Sequence, residues 1–177
     1  MCTASLNYTA ATQCPLPSSG VYEDQVWLWN YSEATFGTPG ATGIIDAITM
    51  SGAATGFKIV MHNKGGLFRE EMAQTDDQSG EWSQRVAGRI VDLSPTARAF
   101  IQDKQGGRFV VGVRTRANRI KLIGVDGGAV LMENVGSTEE GQVGESFAFV
   151  CEKSPTKAYD YFDTDIATSV GELDATL

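Results

Sequence analysis

Hydrophobic and polar residues alternate in short runs along much of the chain, which is the pattern of β-strands with one buried face. The first such run, residues 25–30, reads QVWLWN and places Trp27 and Trp29 on the same face of a strand. Glycine-rich or polar turns separate it from the runs that follow. For one of these runs, residues 82–93, a helix is the alternative prediction. The further runs are residues 44–50, 57–62, 67–72, 82–93, 108–115, 119–125, 129–135 and 145–152.

One segment carries the signals of a helix. Ser94 is suited to the N-cap, and Pro95 follows at a position where the backbone amide needs no partner. A glycine pair that begins at Gly106 provides a left-handed stop. We therefore predict one helix over about residues 95–105, whose single apolar stripe can dock on a sheet.

The strand runs between residues 108 and 152 are joined by short links, which predicts an antiparallel meander. Residues 116–118 form the first link, and Asp126-Gly127-Gly128 is the strongest hairpin signal in the chain. The whole pattern predicts a mainly β protein. We expect an antiparallel β-sandwich or barrel of about six to nine strands, closed or nearly closed, with the helix on its flank.

The two ends of the chain lack this periodicity. Residues 1–20 are rich in proline and serine and predict an extended N-terminal arm, so that the β-domain occupies residues 21–154. Residues 155–177 are acidic and show no capped helix, which predicts an appendage that packs only where its aromatic side chains find a groove. Those side chains, which suggest a partner surface, are Tyr159, Tyr161 and Phe162.

Composition limits the classes of function. The 177 residues carry a net charge of −8, and the isoelectric point is near 4.6, which argues against a primary role in gripping nucleic-acid phosphates. No run approaches the roughly 20 apolar residues of a membrane-spanning helix, and residues 1–16 lack a basic region followed by an apolar run. We therefore expect a soluble protein made without a signal peptide and without a membrane anchor.

The charges are segregated along the chain. Residues 84–121 hold nine basic residues against two acidic ones, whereas residues 126–177 hold eleven acidic residues against two basic ones. Such a chain can place complementary patches on different faces and steer a head-to-tail ring. Internal pairing or solvation of the basic run is an equal alternative, and nucleic-acid binding is a third. The hairpin arginines that we expect at a subunit contact are Arg114, Arg116 and Arg119.

Residue chemistry offers no catalytic site. His62 is the only histidine, and no activated nucleophile or Gly-x-Ser-x-Gly elbow accompanies it. Asp160, Asp163 and Asp165 could ligate Ca²⁺, but the glycine and terminal glutamate of an EF-hand loop are missing, and Asp76-Asp77 is no stronger. We expect a protein that is not an enzyme and needs no cofactor or metal.

The three cysteines, Cys2, Cys14 and Cys151, are too few for a disulfide framework. A bridge between Cys2 and Cys14 is sterically possible, and reduced thiols are the default expectation.

Residues 63–82 predict a long hairpin with a polar, acidic tip. Its glycines and acidic tract bury little apolar area, and a small apolar set within it has no evident local partner. We expect this hairpin to order only against a neighbouring copy. The apolar set consists of Leu67, Phe68 and Met72.

The order of these parts resembles the tail-tube proteins of long-tailed bacteriophages over about residues 14–155. The features that carry the resemblance are a cysteine-containing arm ending at Gly20, the aromatic strand at 25–30, the glycine-bounded strand at 44–50, the segment 57–66, the helix at 94–105, RFVVGV at 108–113, KLIG at 121–124, the turn Gly127-Gly128 and the last strand at 147–152.

That resemblance implies a structural virion protein, assembled in the host cytoplasm as a homo-oligomer with six copies per ring. The rings would stack into a tube that conducts DNA without binding it specifically and that contacts other tail proteins. The alternative is a β-barrel that binds a small ligand or acts as an adhesin, with Trp27, Trp29 and Trp82 lining its pocket. An uncharacterised hydrolase is a third reading.

Overall fold

The computed structural model describes residues 21–61, 66–74, 80–90, 94–137 and 144–177. These residues form twelve strands and two helices. In chain order they are β1 (Val21–Asn30), β2 (Ala34–Phe36), β3 (Ile44–Ile45), β4 (Ile48–Met50), β5 (Phe57–Ile59), β6 (Leu67–Gln74), β7 (Gly80–Ile90), α1 (Pro95–Asp103), β8 (Phe109–Thr115), β9 (Arg119–Ile123), β10 (Val130–Ser137), β11 (Gly144–Ser154), β12 (Tyr159–Tyr161) and α2 (Ile166–Asp174).

The strands form three sheets. The largest has six strands in the order β3-β12-β9-β8-β1-β5, the second has four in the order β10-β11-β7-β6, and a small one pairs β2 with β4. All neighbouring strands are antiparallel except β12 and β3, which run parallel. The prediction of a mainly β, antiparallel fold is confirmed, and of its two forms the sandwich is the one observed, since the described strands form no closed barrel.

The main core lies between the two larger sheets. Val26 and Leu28 of β1 point into it from the six-stranded sheet, and Phe147 and Phe149 of β11 point into it from the four-stranded sheet. Full burial of each such side chain contributes about 1.5–3 kcal/mol to stability. Ile101 of α1 is also fully buried in this core, which confirms the predicted flanking helix and its apolar stripe.

A second core covers the opposite face of the six-stranded sheet. Trp27 and Trp29 of β1 form its centre, and α2 and the β2–β4 sheet close it from outside. Because alternate residues of β1 supply both cores, all four residues of its VWLW run are buried. The two tryptophans do share one face as predicted, but the strand is buried on both faces and not on one.

The C-terminal residues are part of the folded domain, so the expected absence of a capped helix was wrong. Strand β12 pairs with β9 on one side and with β3 on the other. Helix α2 follows the N-cap Asp165, whose carboxylate accepts hydrogen bonds from the backbone N–H groups of Ala167 at 2.8 Å and Thr168 at 2.9 Å. Apolar residues spaced along α2 face the second core, and Leu173 is fully buried there.

The predicted four-stranded meander forms as two separate antiparallel pairs, which lie in different sheets. The β8–β9 hairpin forms with Thr115 opposite Arg119, and β10 pairs with β11. The Asp126-Gly127-Gly128 turn does not make a hairpin, because it carries the chain from the six-stranded to the four-stranded sheet. Gly124 permits this crossing: its φ is +78°, and a Cβ there would lie 2.5 Å from the backbone nitrogen of Ala129.

Two other strand predictions change in detail. The run at 44–50 divides into β3 and β4, which belong to different sheets. The run at 82–93, for which a helix was the alternative, contains most of the long strand β7.

Some expectations concern residues outside the described ranges. These are the N-terminal arm at 1–20 with Cys2 and Cys14, the histidine His62, and the acidic pair Asp76 and Asp77. Within the described ranges, neither helix has the length and apolar character needed to cross a membrane.

Candidate self-association surface

The four-stranded sheet ends in two long open edges. Strands β6 and β10 each have eight residues, and within the described part of the chain no other strand pairs with their outer sides. Each edge therefore presents a row of backbone N–H and C=O groups that can pair with a strand of another molecule. Natural proteins cover such edges or use them for association.

Exposed apolar side chains concentrate on these two edge strands. Leu67 and Met72 on β6 are 48% and 59% exposed, and Met132 and Val135 on β10 are 55% and 58% exposed. They are half of the large apolar residues that are exposed in the described part of the chain, the others being Tyr31, Val60, Phe162 and Leu177. A single exposed apolar residue needs no explanation, but a set on two open edges indicates an interaction surface.

The outer face of the four-stranded sheet, which points away from the main core, is a shallow groove of charged and apolar residues. Its volume is about 490 Å³, and its lining residues are Leu67, Arg69, Glu71, Ser83, Arg85, Met132, Glu133, Val150 and Glu152. The two arginines lie directly opposite each other on β6 and β7. Arg69 pairs with Glu71, and the Nη2 of Arg85 lies 2.7 Å from Oε2 of Glu133.

These pairs are exposed, so each contributes at most about 1 kcal/mol to folding. They do neutralise both arginines, and Glu152 adds a third acidic group to the lining. The groove therefore carries no surplus positive charge that would hold a polyanion.

The predicted apolar set on the long hairpin is partly corrected. Leu67 and Met72 lie at the edge, as an interface residue must. Phe68 packs against the main core, and β6 pairs with β7 along its whole length, from Leu67 opposite Ala87 to Gln74 opposite Gly80. The expectation that the set lacks a local partner was therefore wrong for Phe68, because alternate residues of an edge strand point into the sandwich.

The three hairpin arginines lie on a different surface. Arg114, Arg116 and Arg119 surround the β8–β9 turn at one end of the six-stranded sheet. The Nη2 of Arg114 donates to Oδ1 of Asn118 at 2.9 Å, and Arg119 is exposed. They do not join the edges of the four-stranded sheet into one patch.

Part of the basic segment 84–121 pairs with acidic residues of the same chain, which is one of the alternatives that the sequence left open. Arg98 lies 3.0 Å from the buried carboxylate of Glu145, and Lys121 lies 3.0 Å from Asp160. Together with the Arg85–Glu133 pair, these contacts join the basic segment to the acidic C-terminal third of the chain.

The aromatic residues of the C-terminal segment separate into buried and exposed members. Tyr161 is 1% exposed and donates to Oε2 of Glu172 at 2.8 Å, so the proposed role of its ring in a partner surface is corrected. Burial, and then the hydrogen bond to Glu172 and its charge, raise the pKa of the Tyr161 hydroxyl above its ordinary value. Tyr159 donates to Asp126 and is half-buried, whereas Phe162 is exposed.

The acidic and thiol groups have structural roles. Asp160 pairs with Lys121, and Asp165 caps α2, so they do not act as a ligand cluster with Asp163. Among the described residues, no three His, Cys, Asp or Glu side chains converge. Cys151 is buried, and burial together with the charge of Asp126 raises the pKa of its thiol, which keeps it protonated.

Trp27 and Trp29 hold the C-terminal segment and do not line a pocket. The indole Nε1 of Trp27 donates to Oδ1 of Asp174 at 2.7 Å, and that of Trp29 donates to Oγ1 of Thr176 at 2.7 Å. Trp82 belongs to β7, where the ammonium group of Lys157 lies 4.7 Å from its ring centroid. The three tryptophans therefore do not surround a common ligand cavity in the described structure.

The sequence reading missed the apolar and acidic residues of β10 at this surface. It predicted a strand at 129–135 but placed it inside a meander, where Met132, Glu133 and Val135 would have had neighbours on both sides. Their exposure follows from strand order, which no local signal in the sequence encodes.

Comparison with protein-family models, with curated proteins and with solved structures found no match. The resemblance to tail-tube proteins therefore stays a prediction from the sequence.

Proposed function

We propose that this protein is a structural subunit that joins copies of itself through the edges of its four-stranded sheet into rings, and that the stacked rings form the tail tube of a long-tailed bacteriophage. One observation carries the proposal: in the described part of the chain, both edge strands of one sheet are long, lack a neighbouring strand on their outer sides and carry exposed apolar side chains. The sequence resemblance supplies the biological setting.

The direction of the strands suits a ring. In the order β10-β11-β7-β6 every neighbouring pair is antiparallel, so the two edge strands run in opposite directions. Copies that are rotated about an axis along the strands would bring β6 of one copy beside β10 of the next in antiparallel orientation. This contact joins two different surfaces, so it can repeat around a closed ring.

The dimensions also suit a conduit. Six copies, the number that the resemblance implies, would contribute about 24 strands. At about 4.8 Å per strand and a tilt of about 40°, the backbone cylinder would be about 45–50 Å across, which leaves a lumen of about 35–40 Å inside the side chains. A DNA duplex fits within that width.

The outer face of the four-stranded sheet would line this lumen, because the main core and the six-stranded sheet lie on its other side. Arg69 and Arg85 on this face are paired with glutamates, and each copy carries a net charge of −8. A wall of this kind would let DNA pass without specific binding, since the acidic residues that line its described groove outnumber the basic ones. The proposed setting is the virion, after assembly in the host cytoplasm, with other tail proteins at the ends of the tube.

Electron microscopy of the purified wild-type protein tests this proposal. We expect hollow rings or tubes in negative stain, and a mass in solution that is a multiple of the subunit mass and rises with concentration. A protein that stays monomeric at high concentration and shows no rings contradicts the proposal. Solid filaments without a lumen would support edge association and contradict the conduit.

A further inference from the structure

We infer a specific register for the contact between copies: β6 of one copy pairs with β10 of the next so that Leu67 lies opposite Val135 and Arg69 lies opposite Glu133. This inference rests on the proposed ring-forming function, because it specifies the contact that the ring would use. It commits to a second copy of this chain as the partner of both edges.

The four side chains lie on the same face of the sheet. Leu67 and Arg69 are opposite Ala87 and Arg85 of β7. Ala87 is in turn opposite Ala148 of β11, and Ala148 is opposite Glu133 of β10. Directly opposite residues share a face, and so do residues two apart along a strand. Leu67, Arg69, Glu133 and Val135 therefore all point to the outer face, where a neighbouring edge strand would align them.

Registers that differ by two residues keep the faces matched but pair the wrong side chains. A shift in one direction sets Glu71 opposite Glu133 and Leu67 opposite Ser137, which places like charges together. A shift in the other direction sets Leu67 opposite Glu133. Of these three registers, the inferred one alone sets an apolar side chain opposite an apolar one and a base opposite an acid.

The charges at the joint would alternate without rearrangement. Within a copy, Arg69 pairs with Glu71 at one edge, and Glu133 pairs with Arg85 near the other. The inferred register brings these two pairs together in the order Glu71, Arg69, Glu133, Arg85. Each inner group then gains a second partner of opposite sign, which gives the contact charge complementarity.

A two-fold contact between two β6 strands is less suitable. The arrangement that sets Arg69 opposite Glu71 of the other copy also sets Glu70 opposite itself, so two carboxylates meet at the two-fold axis. Such a dimer would also leave β10 uncovered, with its exposed Met132 and Val135.

Disulfide cross-linking tests the register. The background carries Cys2→Ser and Cys14→Ser, and it retains the buried Cys151. The test variant adds Leu67→Cys and Val135→Cys, and the matched control adds Leu67→Cys and Ser137→Cys, which is out of register by two residues. The replaced leucine and valine are about half exposed, so the variants should fold. A bond within one copy is excluded, because the two edges are about 14 Å apart across the sheet, too far for a disulfide.

After mild oxidation, we expect the 67/135 variant to give a reducible ladder on a non-reducing gel that ends in a closed ring. We expect at least about tenfold less cross-linking in the 67/137 control, since a disulfide requires Cβ atoms about 4 Å apart. More cross-linking in the control overturns the register. Dimers from Leu67→Cys or Val135→Cys alone show two-fold pairing and also overturn it. Rings in the microscope without a 67/135 ladder leave the proposed function standing and refute the register, whereas a wild-type protein that does not assemble removes both.

Discussion

Replacing Leu173 by alanine tests whether the C-terminal helix belongs to the folded domain. Leu173 is fully buried in the second core, beside the two tryptophans of β1. The two methyl groups and the methine group that are lost cost about 2.4 kcal/mol in transfer free energy at about 0.8 kcal/mol per carbon. The cavity left behind adds to this, so we expect the free energy of unfolding to fall by about 3 kcal/mol.

Leu177→Ala is the matched control, because Leu177 is the same residue type, lies four positions later and is exposed. Surface changes of this kind alter stability by about 0.5 kcal/mol or less. Urea unfolding followed by tryptophan fluorescence suits the measurement, since Trp27 and Trp29 bond directly to Asp174 and Thr176. In a thermal scan, the Leu173→Ala variant should melt about 6–12 °C below wild type.

Equal stabilities of the two variants would refute this reasoning. Such a result would mean that α2 contributes no more to folding than an appendage does, as the acidic composition of residues 155–177 first indicated. It would also remove the physical account of why β1 is buried on both faces.

Val135→Lys should lower assembly at least about tenfold with a thermal midpoint close to wild type, because a lysine on an open edge blocks strand pairing. Sedimentation velocity measures the fraction of assembled protein. The control is Val60→Lys, at a site that is 61% exposed and outside the four-stranded sheet, and it should assemble normally. If both variants assemble alike, the edge is not the contact. Reversing the charge of the three hairpin arginines should shorten tubes in the microscope more than it lowers the melting temperature, since Arg119 is exposed, Arg114 and Arg116 are partly exposed, and such charges contribute little to folding; equal losses would count against a contact there. Hydrogen bonds from Thr168 and then Ala167 hold the pKa of the Asp165 carboxyl below its usual 3.8. The ionised carboxylate therefore stabilises the folded protein above pH 3.8, and this stabilisation is lost as the pH falls through the lower pKa of the folded state. Asp165→Ala should therefore destabilise the protein at about pH 7 in denaturant unfolding, and the loss should shrink progressively as the pH falls below 3.8; a loss that does not change with pH would show that the carboxylate charge is not the cause.

The sequence alone predicted those elements of the fold that depend on signals from neighbouring residues. The alternation at 25–30 predicted the shared face of Trp27 and Trp29, and the cap and stop signals around 95–105 predicted α1. Both depend on neighbours within a few residues, which a single sequence displays directly.

Helix α2 was missed although its signals are present. Asp165 is a good N-cap, and Ile166, Val170 and Leu173 follow at the spacing of one helix face. The acidic composition of the segment outweighed this short stripe, because nothing in the sequence shows that the tryptophans of β1, more than 130 positions away, need a cover.

Strand order was not predictable for a different reason. The Asp126-Gly127-Gly128 turn has the composition of a hairpin, yet it joins strands of two sheets. Turn chemistry determines how the backbone reverses, whereas long-range packing decides which sheet receives the next strand. The open edges of β6 and β10, and with them the candidate surface, follow from that order.

Amide hydrogen exchange at the two edge strands tests the central claim most directly, since the claim is that copies pair through β6 and β10. The wild-type assembly would be compared with the Val135→Lys variant as the monomer. We expect the outward amides of β6 and β10 to exchange at least about a hundredfold more slowly in the assembly, while those of β7 and β11, which are already paired on both sides, change little. Rings or tubes in which the edge amides exchange as fast as in the monomer would contradict the account.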